Sequence, residues 1–479
     1  MSSHPISPLD SAFLTLEVPS TPLQIGAVVE LALPDGSSSA HERFDRVRQV
    51  IAERIHEIPV LTERVLRPPF DLGWPIRVGD PDFHVDHHVK FHGLPDHATE
   101  SDLLDFIANL MATPLPADQP LWDLWYIDHT GSSTATVVMR VHHALADGVS
   151  GAATFAGLFD ITPEVRAPSP GGRVAPGPLP TPESLIPQVM SDLVHRPVAI
   201  VDTLTAGLSR LADALESMVS APHQPKEVPS LLSAPRTSLN GTPSSSRILR
   251  REVVSLAQVK QASKQRGGSV TAWVMAVTGG ALRRYCLERG DDLERDLVAY
   301  VPINVRADGA EAHLGNQISA MLLYLGATQP DPNARFSMIT EAVAHQAQTS
   351  REKSGRLLMN LASAVGPTLT SLAGKVAHEV SLFDHLPTLA NVTVSSVPGP
   401  PIPLWLGGHE VKRVTPVGPL LASLALNVTV ISYCDNLEFG VLGCGERFAD
   451  LEHFMGLLRD EAALLLADPS DTLGASANM

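Results

Sequence analysis

The stretch that most constrains this chain is Thr134-Ala-Thr-Val-Val-Met-Arg-Val141, followed by His142-His143-Ala-Leu-Ala-Asp147-Gly148. Its β-branched and apolar residues predict a buried strand over 134–141, and Asp-Gly predicts a turn soon after. Two adjacent histidines therefore lie where a strand ends. Because neighbouring side chains on an extended backbone point to opposite faces, we expect only one histidine to face a given cleft.

A neutral imidazole at a strand end is suited to general-base chemistry. With an unperturbed pKa near ~6.5 it accepts a proton from a weakly acidic hydroxyl at neutral pH, without a metal or a covalent intermediate. We predict that one of the two histidines is the base, that Asp147 orients the loop and that Gly148 permits its tight backbone path. A structural histidine pair with Asp147 as a helix N-cap is the competing interpretation of the same residues.

Composition limits the protein classes that the chain can belong to. Its 479 residues, 44% hydrophobic and 18% charged, are enough for two globular domains. A formal net charge of −17 argues against nonspecific nucleic-acid binding and against electrostatic attachment to an anionic membrane. Cys286, Cys434 and Cys444 are too few and too scattered for a disulfide framework or a zinc site. We interpret them as small core residues of a protein in the reducing cytoplasm.

Membrane contact, if it occurs, is expected at the surface only. The N-terminal residues lack the basic and apolar pattern of a secretory signal. The longest uncharged stretch, 357–374, is interrupted by Asn, Gly and Pro and makes a poor transmembrane helix. It remains a candidate amphipathic or interfacial helix, with apolar residues over 357–372.

The order of predicted elements is strand, helix, strand in both halves, which indicates an α/β (α+β) fold with mixed sheets flanked by helices. Before the motif strand the pattern predicts helices at 10–16, 41–57 and 102–111 and strands at 23–33, 70–78 and 85–91. After it the pattern predicts helices at 270–285, 336–350 and 451–467 and strands at 248–254, 297–302, 318–325, 391–396, 424–433 and 437–442. We divide the chain into an N-terminal domain (1–161), a Pro/Ser-rich linker with a long helix at 197–218 (162–246) and a C-terminal domain (247–479).

Two aromatic and histidine clusters are predicted to be structural. His84, His87, His88 and His92 have the spacing of a strand, and no cysteine or carboxylate set completes a metal site, so no metal is expected. Trp122, Trp125 and Tyr126 precede the motif strand and are interpreted as core residues rather than substrate contacts.

The HHxxxDG pattern of His142, His143, Asp147 and Gly148 resembles the motif of the coenzyme A-dependent acyltransferase superfamily, which includes chloramphenicol acetyltransferase and peptide synthetase condensation domains. Flanking segments narrow the resemblance to the bacterial wax ester synthase/diacylglycerol acyltransferase family, over residues from about 6 to about 465. These segments are Pro8-Leu9-Asp10-Ser-Ala-Phe13-Leu14, Pro120-Leu121-Trp122, Pro302-Ile-Asn-Val-Arg306, Gly315-Asn316-Gln317, Asn391-Val-Thr-Val-Ser-Ser396-Val397-Pro398-Gly399-Pro400 and Ser432-Tyr433.

The resemblance implies two chloramphenicol-acetyltransferase-like domains with a tunnel between them. Acyl-coenzyme A would be a substrate rather than a cofactor, entering from one face, and diacylglycerol or a long-chain alcohol would enter from the other. Within the motif we predict that His143 is the general base and that His142 supports it. The superfamily pairs the aspartate of Asp147 with an arginine, for which Arg306 is the candidate. The family also implies triacylglycerol or wax ester synthesis and association with a membrane or lipid-droplet surface.

Three departures from the family pattern leave the acceptor and the catalytic rate open. Thr271-Ala272 stands where the family usually has Asn-Asp, Ser396 replaces an asparagine, and Gly443-Cys444 replaces a Gly/Ala-Asp pair. Transfer to a polyketide-type or carrier-bound alcohol and a catalytically weak lipid-binding paralogue are the alternatives. The chain has no GxSxG motif, which argues against an ordinary serine esterase.

Overall fold

The computed structural model describes residues 4–33, 39–69, 74–129, 132–145, 155–168, 177–181, 184–186, 229, 233–304, 318–349 and 388–468. Several sequence predictions lie outside the described residues: Asp147, Gly148, Arg306, the helix at 197–218, most of the linker and the stretch 357–374.

The motif strand lies in the centre of a six-stranded mixed sheet. Its order is β12-β13-β2-β7-β6-β5, where β2 is Gln24–Ala32, β5 Val89–Leu94, β6 Trp122–His129, β7 Thr134–His142, β12 Trp405–Leu406 and β13 His409–Val417. Strand β7 pairs antiparallel with both β2 and β6, and β5 joins parallel to β6. All residues of β7 after Thr134 are buried, as expected for an apolar strand covered on both faces.

Helices Pro8–Leu16, Ala40–Arg54 and Glu100–Ala112 accompany this sheet. Capping boxes begin two of them, at Ser39 with Glu42 and at Thr99 with Asp102. The C-terminal carbonyls of Glu100–Ala112 accept hydrogen bonds from Gln24 of β2 and Arg140 of β7. The sheet itself therefore fixes the end of this helix.

A second six-stranded sheet is formed by the C-terminal half, in the order β10-β9-β11-β14-β15-β8. The strands are β8 Arg247–Ser255, β9 Val298–Asn304, β10 Ile318–Tyr324, β11 Val392–Val397, β14 Leu426–Tyr433 and β15 Asn436–Cys444. Its helices are Leu256–Gln265, Val270–Glu288, Pro332–Thr349 and Leu451–Leu466. Helix Val270–Glu288 is apolar over most of its circumference and is buried from Ala272 to Leu282, so it forms the centre of this half's core.

The two sheets are linked by β12 and β13, which come from the C-terminal half but extend the N-terminal sheet. Strand β13 pairs antiparallel with β2 from Val411 opposite Leu31 to Val417 opposite Gly26. The helix Glu100–Ala112 also packs on β8 of the second sheet, and its Leu103 and Ile107 belong to the same apolar cluster as Trp273. The halves therefore share part of one core.

The predicted elements are confirmed at most described positions, with a few differences. The strand at 85–91 is wrong at its start, because Val85–His88 is a helical turn and the strand is Val89–Leu94. The strand predicted at 70–78 is shorter at its start: residues 70–73 lie outside the described ranges, and the strand is Ile76–Gly79 (β4). It lies between two short strands, His4–Pro5 (β1) and Glu63–Leu66 (β3), in a small three-stranded sheet. Helix Leu256–Gln265 and strands β12 and β13 were not predicted. Among the described residues, the helices all fall short of the length and apolarity needed to cross a bilayer.

Candidate functional site

The histidine pair is held by backbone hydrogen bonds at the point where three strands meet. The His142 N–H donates to the Leu121 carbonyl next to β6 (2.9 Å), and the His143 N–H donates to the Leu23 carbonyl next to β2 (2.8 Å). The Leu145 N–H then donates to the His142 carbonyl (2.9 Å) and turns the chain. Both imidazoles are thus attached at the end of a central strand of the N-terminal sheet.

His142 faces away from the interior cavity and is 1% exposed. Its Nδ1 accepts the Ala144 N–H (3.0 Å), so in the neutral ring the proton is on Nε2, which lies 3.4 Å from Glu17 Oε1. The same carboxylate oxygen accepts the Leu23 N–H (2.9 Å). Burial acts to raise the pKa of Glu17, but the interaction with His142 and the Leu23 N–H outweigh it and lower that pKa.

His143 faces the opposite side and lines a cavity between the two sheets. Its ring is stacked on Phe13, with centroids 4.2 Å apart and planes 13° apart. Phe13 belongs to helix Pro8–Leu16, whose N-terminus is capped by the Ser7 side chain through the Asp10 N–H. This helix therefore sets the plane of the imidazole, with Phe13 and Glu17 one turn apart reaching the two histidines.

The cavity has a volume of about 240 Å³ and a mostly apolar wall. The N-terminal half contributes, among others, Phe13, Gly26, Met139, Val141, Phe155 and Phe159, and the C-terminal half contributes Tyr300, Val397, Leu404, Val417, Leu421 and Ile431. An apolar space beside one imidazole suits an acyl chain and disfavours the water that would hydrolyse an activated ester.

The polar exceptions in the wall lie on two neighbouring strands of the C-terminal sheet. Thr393 and Ser395 of β11 are opposite Asn427 and Thr429 of β14 in the parallel ladder, and all four line the cavity. Asn391, just before β11, anchors the strand: its Oδ1 accepts the Val298 N–H (2.8 Å) and its Nδ2 donates to the Pro235 carbonyl (2.7 Å). The Asn391-Val-Thr-Val-Ser segment thus has a structural residue at its start and cavity residues after it.

Several sequence predictions can be located in the structure. Of the predicted site residues, His142 and His143 are described and lie back to back at the end of β7, whereas Asp147, Gly148 and Arg306 lie outside the described ranges. The departures from the family pattern are away from the cavity wall: Ala272 is buried in the first turn of its helix, Ser396 alternates with the cavity residues of β11, and Cys444 is buried near Ser244.

The clusters interpreted as structural have clear packing roles. His88 is 2% exposed, stacks on Trp122 (4.6 Å) and places Nδ1 2.8 Å from the Trp122 carbonyl oxygen. Trp122 is 1% exposed and donates its indole N–H to the Leu61 carbonyl (2.7 Å), as expected of a core residue. Within the part of the chain that the structure describes, no group of His, Cys, Asp and Glu is arranged to hold a metal ion.

Phe13 and Thr393 were identified from the sequence only as parts of longer motifs, and Glu17 was not predicted as a site residue. The signal for Phe13 and Glu17 is their spacing of four residues at the end of the predicted helix 10–16, which places both on one face. The cavity role of Thr393 depends on which face of β11 meets the other half, and the strand's own sequence does not specify this.

Comparisons with known proteins agree over nearly the whole chain. The model of the wax ester synthase/diacylglycerol acyltransferase catalytic domain matches residues 6–274, and that of the WS/DGAT C-terminal domain matches residues 314–465. A Mycobacterium tuberculosis H37Rv protein provisionally named a diacylglycerol O-acyltransferase is 31% identical over 440 residues, which are 91% of this chain and 90% of the relative.

Two solved structures share the fold. The wax ester synthase/diacylglycerol acyltransferase from Marinobacter aquaeolei VT8 superposes with a TM-score of 0.68 at 23% identity, covering 96% of this chain and 98% of that chain. The first condensation domain of the calcium-dependent antibiotic synthetase superposes with a TM-score of 0.58 at 17% identity, covering 97% of each chain. These likenesses confirm the predicted two-domain α/β fold class.

Proposed function

Since the chain belongs to the wax ester synthase/diacylglycerol acyltransferase family and is an acyltransferase of that type, we propose that it moves a long-chain acyl group from acyl-coenzyme A to the free hydroxyl of diacylglycerol. Long-chain alcohols are proposed as further acceptors. The observation that carries this proposal is the position of His143, which lines an apolar cavity between the two halves.

His143 acts as the general base in this proposal. Its imidazole accepts the proton of the acceptor hydroxyl while that oxygen attacks the thioester carbonyl carbon, which forms a tetrahedral oxyanion. The oxyanion collapses, the carbon–sulfur bond breaks, and the imidazolium returns its proton to the departing coenzyme A sulfur. The products are an ester and a free thiol, and no acyl-enzyme is formed.

The neighbouring residues have supporting roles. The stacked ring of Phe13 holds the imidazole plane, and Glu17 and the Ala144 N–H hold His142 behind it. We propose that Asp147 forms a structural ion pair with Arg306, as the family resemblance implies, and that Gly148 permits the tight backbone path of the motif loop. Because a buried charge without its partner is costly, loss of Asp147 would act through folding rather than through proton transfer.

The proposal is tested by replacing the base. We expect His143→Ala to lower kcat by roughly 10²- to 10⁴-fold in a thiol-release assay with palmitoyl-coenzyme A and dipalmitoylglycerol, with the fold retained by circular dichroism. The matched control is His97→Ala, since His97 is exposed and distant in sequence from the motif. A folded His143→Ala protein with near-normal turnover would exclude His143 as the base.

The same assay separates the alternative functions. Thiol release that depends on diacylglycerol or hexadecanol supports the proposed reaction, and release only with a hydroxylated polyketide or carrier-bound alcohol supports the second interpretation. Saturable palmitoyl-coenzyme A binding with no thiol release for any acceptor would identify a lipid-binding paralogue.

We also propose peripheral attachment to a membrane or lipid-droplet surface from the cytoplasm. The acceptor is a membrane lipid, the three cysteines are free thiols, and the net charge of −17 leaves apolar contact as the attractive force. The stretch 357–372 is the candidate segment. Binding to phosphatidylcholine vesicles in a flotation assay is expected to persist at 1 M salt and to be lost in mild detergent.

A further inference from the structure

The cavity reaches the surface of the protein beside Ala156. This residue lines the cavity and is exposed, whereas the other described lining residues are buried or half-buried. Phe159 lines the cavity from the same segment, and Pro400 and Leu404 line it from the C-terminal half. All three are half-buried.

Two backbone hydrogen bonds join the segments that carry these residues. The Asp160 N–H donates to the Trp405 carbonyl (2.8 Å), and the Trp405 N–H donates to the Asp160 carbonyl (2.9 Å). The residue before each partner, Phe159 or Leu404, lines the cavity. We call segments 155–163 and 397–405 together the mouth rim.

The mouth rim presents large apolar side chains to solvent. Ile161 is 68% exposed and Ile402 is 47% exposed. Each follows or precedes a wall residue, Phe159 or Leu404, by two positions, so the two Cα atoms lie within about 7 Å of each other. Single exposed apolar residues are common on protein surfaces, but these two flank the opening of an apolar cavity.

The mouth rim exposes no charge. Asp160 is the only charged residue in its two segments, and it is 5% exposed. Its carboxylate accepts two hydrogen bonds from Nη2 of Arg54 (2.8 and 3.0 Å), and Arg54 is 1% exposed. The single charge of the rim is therefore neutralised inside the protein, although the chain as a whole carries a net charge of −17.

The backbone of segment 397–405 is also suited to an apolar medium. An N–H without a hydrogen-bond partner is costly in lipid, and proline has no N–H to leave unpaired. Four of the rim residues are prolines: Pro398, Pro400, Pro401 and Pro403. A protein partner would usually form hydrogen bonds and charged contacts around the edge of its interface. A lipid surface requires neither.

We propose that the mouth rim enters the surface of an uncharged or zwitterionic lipid layer, and that the acceptor passes from this layer directly into the cavity. The inference rests on the proposed function, because a diacylglycerol with two long chains resides in a lipid phase. It assigns lipid contact to a described surface beside the candidate site, in addition to the stretch 357–372.

The test compares two double variants that gain the same charge. Ile161→Asp with Ile402→Asp changes the mouth rim. The matched control is Leu287→Asp with Leu464→Asp, since these leucines are 46% and 41% exposed on helices Val270–Glu288 and Leu451–Leu466 and lie outside the cavity wall. Circular dichroism checks that both variants keep the fold.

Each variant is measured for binding to phosphatidylcholine vesicles and for thiol release from palmitoyl-coenzyme A. The rim variant is expected to bind vesicles about 10-fold more weakly, and to lose a similar factor in kcat/KM for dipalmitoylglycerol embedded in the vesicles. With dihexanoylglycerol dissolved in water, its kcat/KM is expected to change by less than about 2-fold. The control variant is expected to match the wild type in all three measurements.

A labelling experiment locates the contact without a charged substitution. Ile402→Cys and Leu464→Cys are each labelled with a polarity-sensitive dye, and wild-type protein treated in the same way corrects for the native cysteines. Emission is expected to shift to shorter wavelength when vesicles are added to the labelled Ile402→Cys protein. The labelled Leu464→Cys protein is expected to show no shift.

Several results would overturn the inference. Equal vesicle binding by the two double variants would place lipid contact elsewhere, and an equal loss of activity with dissolved and embedded acceptors would show that the rim only shapes the cavity. A wild-type dimer that the rim variant converts to a monomer in sedimentation would assign the rim to a second copy of the chain. Failure of the proposed function is distinguishable, because the wild type would then bind vesicles through the rim but release no thiol with the dissolved acceptor.

Discussion

Glu17 connects the two histidines through the backbone of one residue. Its Oε1 accepts the Leu23 N–H and faces His142, while the Leu23 carbonyl accepts the N–H of His143. A substitution at Glu17 therefore affects the contacts that hold both histidines. Because the carboxylate is mostly buried, its hydrogen bonds are stronger than those of an exposed pair.

Glu17→Gln is expected to reduce the free energy of unfolding by about 1–3 kcal/mol at pH 7, because a charged acceptor is replaced by a neutral one. The pKa of Glu17 is lowered in the folded protein, so its stabilising effect is complete above the ordinary glutamate value of about 4.3 and is lost as the pH falls through the lowered value. Urea unfolding of both proteins from pH 3 to pH 7 measures this. A stability difference that stays constant over that range would show that the Glu17 charge contributes nothing.

The opposite orientations of the two histidines could be predicted from the sequence, but the contacts that hold the surrounding residues could not. A strand followed by His142-His143 gives opposite orientations from backbone geometry alone, and the structure has them. Val85, by contrast, is β-branched and favours a strand, yet Val85–His88 is helical. The helical turn replaces the predicted strand because it lets His88 stack on Trp122 and contact its carbonyl oxygen. This contact joins residues far apart in sequence.

Strand β13 was not predicted, and of the missed elements it has the largest consequence for the fold. Its sequence contains Glu410, Lys412, Arg413 and Pro416, which together are typical of a loop. The strand forms because β2 offers it a free edge, and Pro416 is tolerated because β12 pairs only with His409 and Glu410. At Pro416 the outer side of β13 is therefore a sheet edge, where a missing N–H breaks no ladder. Strand β2, the partner of β13, lies almost four hundred residues earlier in the chain: Thr415 pairs with Val28.

Gly440 of β15 lies directly against the backbone of β13 where that strand crosses the second sheet. A Cβ at residue 440 would overlap the Pro416 carbonyl oxygen and lie 2.9 Å from its carbon. Both are backbone atoms held by the ladder with β2, so they cannot move away cheaply. Gly440→Ala is expected to lower the free energy of unfolding by at least about 1–3 kcal/mol in urea titrations.

The matched control for this glycine is Gly456 in helix Leu451–Leu466, where an added Cβ meets no heavy atom within 4 Å. Gly456→Ala is expected to stabilise the protein by about 0.5–1 kcal/mol, because alanine costs less conformational entropy in a helix. Equal effects of the two substitutions would mean that the crossing of β13 over β15 does not limit stability.

Across the whole molecule, the described parts of the two halves are connected by more than the cavity. Strand β13 belongs to one sheet by hydrogen bonding and packs on β14 and β15 of the other. Arg251 of β8 forms ion pairs with Glu30 (3.5 Å) and Glu100 (2.7 Å) of the N-terminal half. Because Leu103 and Ile107 are buried together with Trp273, unfolding either half would expose apolar surface of the other.

We therefore expect the two halves to unfold as one cooperative unit. In native-state hydrogen exchange followed by mass spectrometry, amides of β7 and of β14 should lose protection at the same urea concentration, since both strands are central and β13 of the first sheet packs on the second. If β7 lost protection at a clearly lower urea concentration than β14, the halves would be separable domains. The cavity that holds His143 and Thr393 would then depend on docking between them, and turnover should fall at that lower concentration before the C-terminal sheet opens.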